Sequence, residues 1–153
     1  MLDAPQILQV SAQPAAVIHI VIAREKIRTV MEPAMAELQE TLARLKIEPT
    51  GPMFSHHLRM DPEVFDFEVG LPVSVKIPEQ GRVQSGLLPA GKVARSVYRG
   101  GYEGLGAAWG DFRDWIAQSG HATAPDLWEC YASGPETDPD PLCWCTELYQ
   151  PLA

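Results

Sequence analysis

Two glutamates in the chain stand in matching sequence contexts. Glu68 precedes Pro72, and Glu147 precedes Pro151 at the same spacing. A Pro-Ala dipeptide also lies upstream of each glutamate, at a similar distance in both halves of the chain. A duplicated unit places equivalent elements about a pseudo-twofold axis, and the groove where two copies meet is a natural position for a site. The carboxylate that closes each copy is therefore the first candidate for chemistry.

The environment of these carboxylates decides what they can do. An unpaired carboxylate buried in a strand is destabilising, and its pKa rises. Both faces of the strand around Glu147 carry apolar residues, so alternation leaves open whether Glu147 points to solvent or into the groove. Around Glu68 the alternation is clear, because Phe65, Phe67 and Val69 share one face and leave Glu68 on the other. Either both glutamates flank the groove, or Glu68 is solvated.

The charge balance argues against a nucleic-acid partner. The 153-residue chain has a formal net charge of −8 and a pI near 4.9. Phosphate binding needs clustered Lys and Arg side chains, which this sequence lacks. Cationic ligands fit the charge better, although much of the acidity lies in the loop Pro135–Pro141, which is also explained as a solvated turn.

The apolar runs and the cysteines predict a cytoplasmic protein without a membrane partner. The run Ala15–Ala23 is too short to span a bilayer, and no basic segment precedes an apolar stretch at the N-terminus. Three cysteines, an odd number, indicate reduced thiols. Cys143 and Cys145 have no second ligand pair at suitable spacing, so we expect no metal and no cofactor.

Each copy is predicted to have the order strand, helix, strand, strand. The predicted segments of the first copy are Val17–Ile22, a helix ending near Ile47, Met53–Leu58 and Val64–Val69; those of the second are Val93–Tyr98, a helix ending near Ser119, Leu127–Ala132 and Trp144–Tyr149. This order predicts an α+β fold: an antiparallel sheet with two helices on one side and a central ligand groove. Residues 1–153 would form one domain of two repeats, about 6–73 and 82–152.

Six motifs follow one another in an order that is typical of a known family. They are Pro-x-Gly-Pro-x-Phe (49–54), Asp-Pro with Phe-Asp-Phe-Glu-Val-Gly-x-Pro-Val (61–73), Leu-Pro-Ala-Gly-Lys-Val-Ala (88–94), Gly-Gly-Tyr-Glu-Gly-Leu (100–105), Trp-Glu-x-Tyr (128–131) and Thr-Glu-Leu-Tyr-x-Pro-Leu (146–152). In these motifs the chain resembles the GyrI-like small-molecule-binding domain. The same module follows the DNA-binding domains of AraC-type and BmrR-type regulators.

The resemblance implies a site as well as a fold. It implies a duplicated unit with a ligand groove at the pseudo-twofold axis, and an acidic residue in the last strand that faces cationic aromatic drugs. That role falls on Glu147. No helix-turn-helix fits upstream of Gln6, so the chain resembles the effector module standing alone, and direct reading of DNA is not expected.

Aromatic residues would supply the rest of a cation site, since a cation gains roughly 0.5–2 kcal/mol on an aromatic face. Tyr102 is favoured because it follows a Gly-Gly pair that lets the backbone approach a ligand. Other aromatic candidates are equally explained by core packing, and the methionines either reshape a pocket or fill gaps. The full set of candidate ligand-binding residues is Glu147, Tyr102, Trp109, Phe54, His56, Tyr131, Met31, Met35 and Glu68.

Three functions follow from the resemblance. The first is binding of hydrophobic, often cationic aromatic molecules, for sequestration or sensing in drug resistance. The second is hydrolysis of cyclopropane-containing alkylating natural products in the same groove, with Glu147 and Tyr102 as the catalytic residues. The third is an interaction protein that inhibits gyrase, for which the acidic charge is permissive but not specific.

Overall fold

The computed structural model describes residues 2–60, 62–133 and 139–153, except the side chains of Arg28 and Met60. Most of the acidic loop Pro135–Pro141 lies outside the described residues, as does Asp61 of the second motif. The chain divides into two compact units. The first unit is Ser11–Ala90, and the second unit comprises Met1–Val10 and Gly91–Ala153.

Eight strands and two α-helices are present in the described residues. In chain order they are β1 Gln6–Val10, β2 Gln13–Ala23, α1 Arg28–Leu45, β3 Phe54–Met60, β4 Val64–Pro72, β5 Gln84–Leu88, β6 Gly91–Arg99, α2 Leu105–Gln118, β7 Leu127–Ser133 and β8 Cys145–Pro151. Single 3₁₀ turns lie at Arg24–Lys26, Tyr102–Gly104 and Pro141–Cys143. The α+β class and the order strand, helix, strand, strand in each unit are confirmed.

The first unit is a four-stranded antiparallel sheet in the order β3-β4-β2-β5, with α1 on one face. The buried stripe of α1 consists of Ala34, Leu38 and Leu42, and it packs on a sheet face that includes Phe67 and Val69. These spacings of four put the three side chains on one side of the helix. Alternation along β4 therefore directs Glu68 to the face opposite α1.

The second unit repeats this plan with the strand order β1-β6-β8-β7 and with α2 on one face. Ala108, Phe112 and Ile116 form the buried stripe of α2 and pack with Tyr98 and Leu148. Each member of this stripe follows its α1 counterpart at one constant distance along the chain. The helices of the two copies are thus equivalent position by position.

Two strands were not predicted from the sequence. β5 pairs with β2, and β1 pairs with β6 through a register that sets Gln6 opposite Arg95. The first predicted repeat begins at about Gln6, whereas β1 belongs to the second unit. Both strands are five residues long and lie at the edges of their units' sheets, so their identity depends on a partner strand rather than on local pattern.

No helix in the described part of the chain has the length and apolar character needed to cross a bilayer.

Candidate functional site

The face of β8 that packs under α2 does not carry Glu147. Thr146, Leu148 and Gln150 are buried, and they alternate with Cys145, Glu147 and Tyr149, which are partly exposed. Leu148 belongs to the core beneath α2. Strand alternation therefore directs the Glu147 side chain to the opposite face of the sheet.

Glu147 already has a cationic partner within the second unit. Arg95 Nη2 donates a hydrogen bond to Glu147 Oε2 at 3.0 Å, and the Tyr149 hydroxyl donates to Glu147 Oε1 at 3.2 Å. Arg95 Nε also donates to Tyr149 Oη at 3.1 Å, which closes the network among these side chains. The charge of Glu147 is therefore compensated by the protein itself.

Five of the predicted residues lie in the first unit, on two different faces of its sheet. Met31 and Met35 pack against the core beneath α1, whereas Glu68 lies in register with His56 on the other face. His56 Nδ1 is 3.9 Å from Glu68 Oε1. Phe54 is buried at the start of β3. The structure therefore does not bring these five side chains together at one point.

A carboxylate outside the set of predicted site residues lies under α2. Glu129 on β7 is directly opposite Leu148 on β8, and only 8% of its surface is exposed. Trp109 Nε1 donates a hydrogen bond to Glu129 Oε1 at 2.7 Å, and the Tyr131 hydroxyl donates to Glu129 Oε2 at 2.9 Å. Each carboxylate oxygen is thus held by an aromatic donor.

Burial raises the pKa of Glu129, and the hydrogen bonds from Trp109 and Tyr131 offset only part of that effect. Within the described residues, no cationic side chain is paired with Glu129. A buried carboxylate without a counter-charge is costly when ionised. Such groups cluster at functional sites, where a ligand or a reaction uses the perturbed pKa.

An aromatic cluster of Tyr131, Tyr102 and Trp144 extends from Glu129. The Tyr102 ring contacts the Tyr131 ring edge to face with centroids 6.0 Å apart, and its centroid is 5.0 Å from that of Trp144. Tyr102 is 36% exposed, so this ring cluster reaches the surface while Glu129 stays buried. The arrangement provides aromatic faces outside and a carboxylate inside, which suits a delocalised cation.

The Gly-Gly pair before Tyr102 serves a turn that packs tightly on β6. Gly100 has φ of +137°, a conformation that side chains rarely adopt. The Tyr98 hydroxyl donates to the carbonyl of Gly101 at 2.9 Å, and a Cβ on Gly104 would collide with the same hydroxyl. These contacts fix the position of Tyr102 in the 3₁₀ turn that precedes α2.

A buried hydroxyl also lies on this face. Thr146 Oγ1 is fully buried and has no hydrogen-bond partner among the described residues. Thr146 is opposite Tyr98 on β6. It lies on the same face of β8 as Leu148, which is the residue opposite Glu129. In the described part of the chain, no three His, Cys, Asp or Glu side chains are placed to share a metal ion.

The sequence contained a signal for Glu129 in the motif Trp-Glu-x-Tyr. On a strand, Glu129 and Tyr131 share a face, so a hydrogen bond between them was foreseeable. The repeat instead indicated Glu68 and Glu147, because these are the duplicated glutamates. The first-unit counterpart of Glu129 is Ser55, since Ser55 pairs with Val69 and Val69 is equivalent to Leu148. The buried carboxylate is thus specific to the second copy.

The sequence matches the family model of the GyrI-like small molecule binding domain over residues 3–153. The chain therefore belongs to this family, as the resemblance predicted. No curated relative matches the chain.

Solved structures share the fold. The EcmrR C-terminal domain has a TM-score of 0.85 at 16% identity, and the match covers 98% of this chain and 97% of that one. In the EcmrR–DNA complex the match covers 97% of this chain but 57% of the EcmrR chain, with a TM-score of 0.84 at 17% identity. The chain thus spans little more than half of that relative.

Two further neighbours are more distant. SAV2435 bound to tetraphenylphosphonium has a TM-score of 0.67 at 10% identity, and the match covers 99% of this chain and 94% of that one. A hydrolase from Listeria innocua has a TM-score of 0.67 at 10% identity, with 97% and 91% covered. At these identities the likeness concerns the fold alone.

Proposed function

We propose that the chain binds hydrophobic aromatic cations and that Glu129 supplies the counter-charge. The observation that carries the proposal is a buried carboxylate that both Trp109 and Tyr131 orient and that no cation of the described residues neutralises. A bound cation would supply the missing charge. Glu147 fits this role less well than Glu129, because Arg95 already neutralises it.

The energetics favour a cation over a neutral ligand. At about 4 Å and an effective dielectric near 20, a unit charge gains on the order of 4 kcal/mol from the carboxylate, before desolvation removes part of it. The faces of Tyr102 and Trp144 add roughly 0.5–2 kcal/mol per contact. Since these contacts require no particular shape, the site would accept several aromatic cations.

The biological role that fits this chemistry is sequestration or sensing of drug-like cations. Support comes from the family, whose members bind small molecules, and from SAV2435, which binds the lipophilic cation tetraphenylphosphonium. The net charge of −8 fits a cationic ligand better than DNA. The three free cysteines support a reducing compartment, and we place this activity in the cytoplasm.

The wild-type protein is expected to prefer a cationic aryl phosphorus compound over a neutral one. The neutral triphenylphosphine oxide keeps three of the four phenyl rings of tetraphenylphosphonium and lacks its charge, so the cation should bind at least about tenfold more tightly. Isothermal titration calorimetry measures both affinities. Equal affinities for the two compounds would contradict the proposal.

A second candidate function is hydrolysis of a strained, alkylating compound. The favouring observation is the raised pKa of Glu129, because a general base works best when its pKa is near the operating pH. The Glu129 carboxylate would take a proton from water while the water oxygen bonds to a cyclopropane carbon. The electron pair of the broken ring bond would pass to the oxygen of a conjugated carbonyl, which would then take up the proton from Glu129. A neighbouring fold is that of a hydrolase.

Mass spectrometry in ¹⁸O-labelled water separates the two functions. An enzyme would consume many equivalents of a cyclopropane-containing alkylating compound and incorporate one labelled oxygen per product. We expect a binding protein to show no turnover beyond one equivalent. Sustained labelled product that disappears in Glu129→Gln would instead establish hydrolysis.

A further inference from the structure

The first unit contains a counterpart of the Glu129 site with different chemistry. The α1 and α2 stripes correspond at one constant offset along the chain, which makes Met35 equivalent to Trp109. The strand pairings give the same offset for Ser55 and Glu129, and this offset makes His57 equivalent to Tyr131. In the first unit, a serine hydroxyl therefore stands in place of the Glu129 carboxylate, and a methionine thioether stands in place of the Trp109 indole.

His57 is the polar group of this counterpart. It is 7% exposed and lies opposite Phe67 on the face beneath α1. Its ring stacks on Phe67 with centroids 5.1 Å apart and meets Phe65 edge to face at 5.2 Å. Ser55 Oγ is 3.4 Å from Nε2, whereas Nδ1 has no hydrogen-bond partner among the described residues.

An unpaired buried nitrogen is costly, and a ligand atom would remove that cost. Burial, together with the nearby His56 and Arg24, lowers the pKa of His57 to about 4. The imidazole is therefore neutral near pH 7, and it carries one N–H and one lone pair. Whichever tautomer is present, a hydroxyl group can satisfy Nδ1, because a hydroxyl both donates and accepts.

Two methionines of α1 pack against the same core as Phe67, namely Met31 and Met35. Flexible thioethers adapt to rings of different outline. From the contacts of His57 and the equivalence of Met35 to Trp109, we propose that the first unit binds an uncharged phenolic group, with His57 Nδ1 as its hydrogen-bond partner and Met35 against its ring.

The test compares 2-naphthol with 2-methylnaphthalene, which has the same shape but no hydroxyl. Wild-type protein should bind 2-naphthol about five- to tenfold more tightly, the effect of one hydrogen bond to a buried partner. His57→Phe keeps a ring for stacking on Phe67 and should abolish this preference. Because the substitution removes an unpaired nitrogen, the Tm of the variant should be unchanged or higher.

Nuclear magnetic resonance of the wild-type histidine rings provides a readout that needs no variant. The chemical shifts of the His57 ring nitrogens should change when 2-naphthol is added and should remain unchanged with 2-methylnaphthalene. Equal affinities for the two compounds, or a preference that survives in His57→Phe, would overturn the inference. A preference that is lost in Glu129→Gln rather than in His57→Phe would place the phenol at Glu129 and would also overturn it.

Discussion

Glu129→Gln is expected to weaken the binding of tetraphenylphosphonium by about ten- to a hundredfold. The substitution keeps the shape of the side chain and an oxygen that accepts the hydrogen bond from Trp109, so it removes mainly the charge. A loss of this size corresponds to about 1.4–2.8 kcal/mol, which is within the attraction of a partly desolvated ion pair. Affinity for triphenylphosphine oxide should change by less than about threefold. Calorimetric titration of the wild-type protein and of Glu129→Gln with both ligands measures these changes.

Glu147→Gln is the matched control for this experiment. It makes the same chemical change on β8, but it removes a carboxylate that Arg95 already neutralises. We expect the affinity of Glu147→Gln for tetraphenylphosphonium to remain within about threefold of wild type. If Glu147→Gln costs the larger share of the affinity, Glu147 is the counter-charge, and the assignment to Glu129 is wrong.

The affinity for a permanent cation is expected to rise with pH. Because burial raises the pKa of Glu129, the empty site keeps its proton to a higher pH than an exposed glutamate does. A cation binds the ionised form, so binding must release that proton. Below the raised pKa the affinity should increase by up to about tenfold per pH unit, and above it the affinity should level off.

The same proton affects folding with a defined sign. A raised pKa in the folded state gives stability that is complete below the unfolded-state pKa and is lost as pH rises through the folded-state value.

Titrations with tetraphenylphosphonium across pH 5–8, in buffers of different ionisation enthalpy, detect the proton that is released on binding. Glu129→Gln should give a flat profile, and a flat profile for the wild type would rule out proton-linked binding.

Much of the fold follows from local pattern. The apolar stripe Leu105, Trp109, Phe112 and Ile116 predicted α2, and the predicted strand Leu127–Ala132 differs by one residue from β7. Helical stripes and alternation are local consequences of burying one face, so the sequence displays them directly. The edge strands β1 and β5 do not display them, because they are short and depend on partners far away in the chain.

The candidate site was harder to predict from the sequence than the fold. The duplication made Glu147 a candidate. Its pairing with Arg95, however, depends on the register of β6 and β8, which no local pattern encodes. The burial of Glu129 likewise depends on the packing of Trp109 over β7. Tyr102, Trp109 and Tyr131 are candidates for their aromatic character, and Tyr102 also for the Gly-Gly pair that precedes it. The structure shows that Trp109 and Tyr131 hold one carboxylate, while Tyr102 contacts Tyr131.

A crystal structure with tetraphenylphosphonium tests the central claim most directly. Our account predicts the phosphonium within roughly 6 Å of the Glu129 carboxylate, a distance at which ring faces and charge both act. The ion pair between Arg95 and Glu147 should remain intact. A cation that lies against Glu147 with Arg95 displaced would contradict the account.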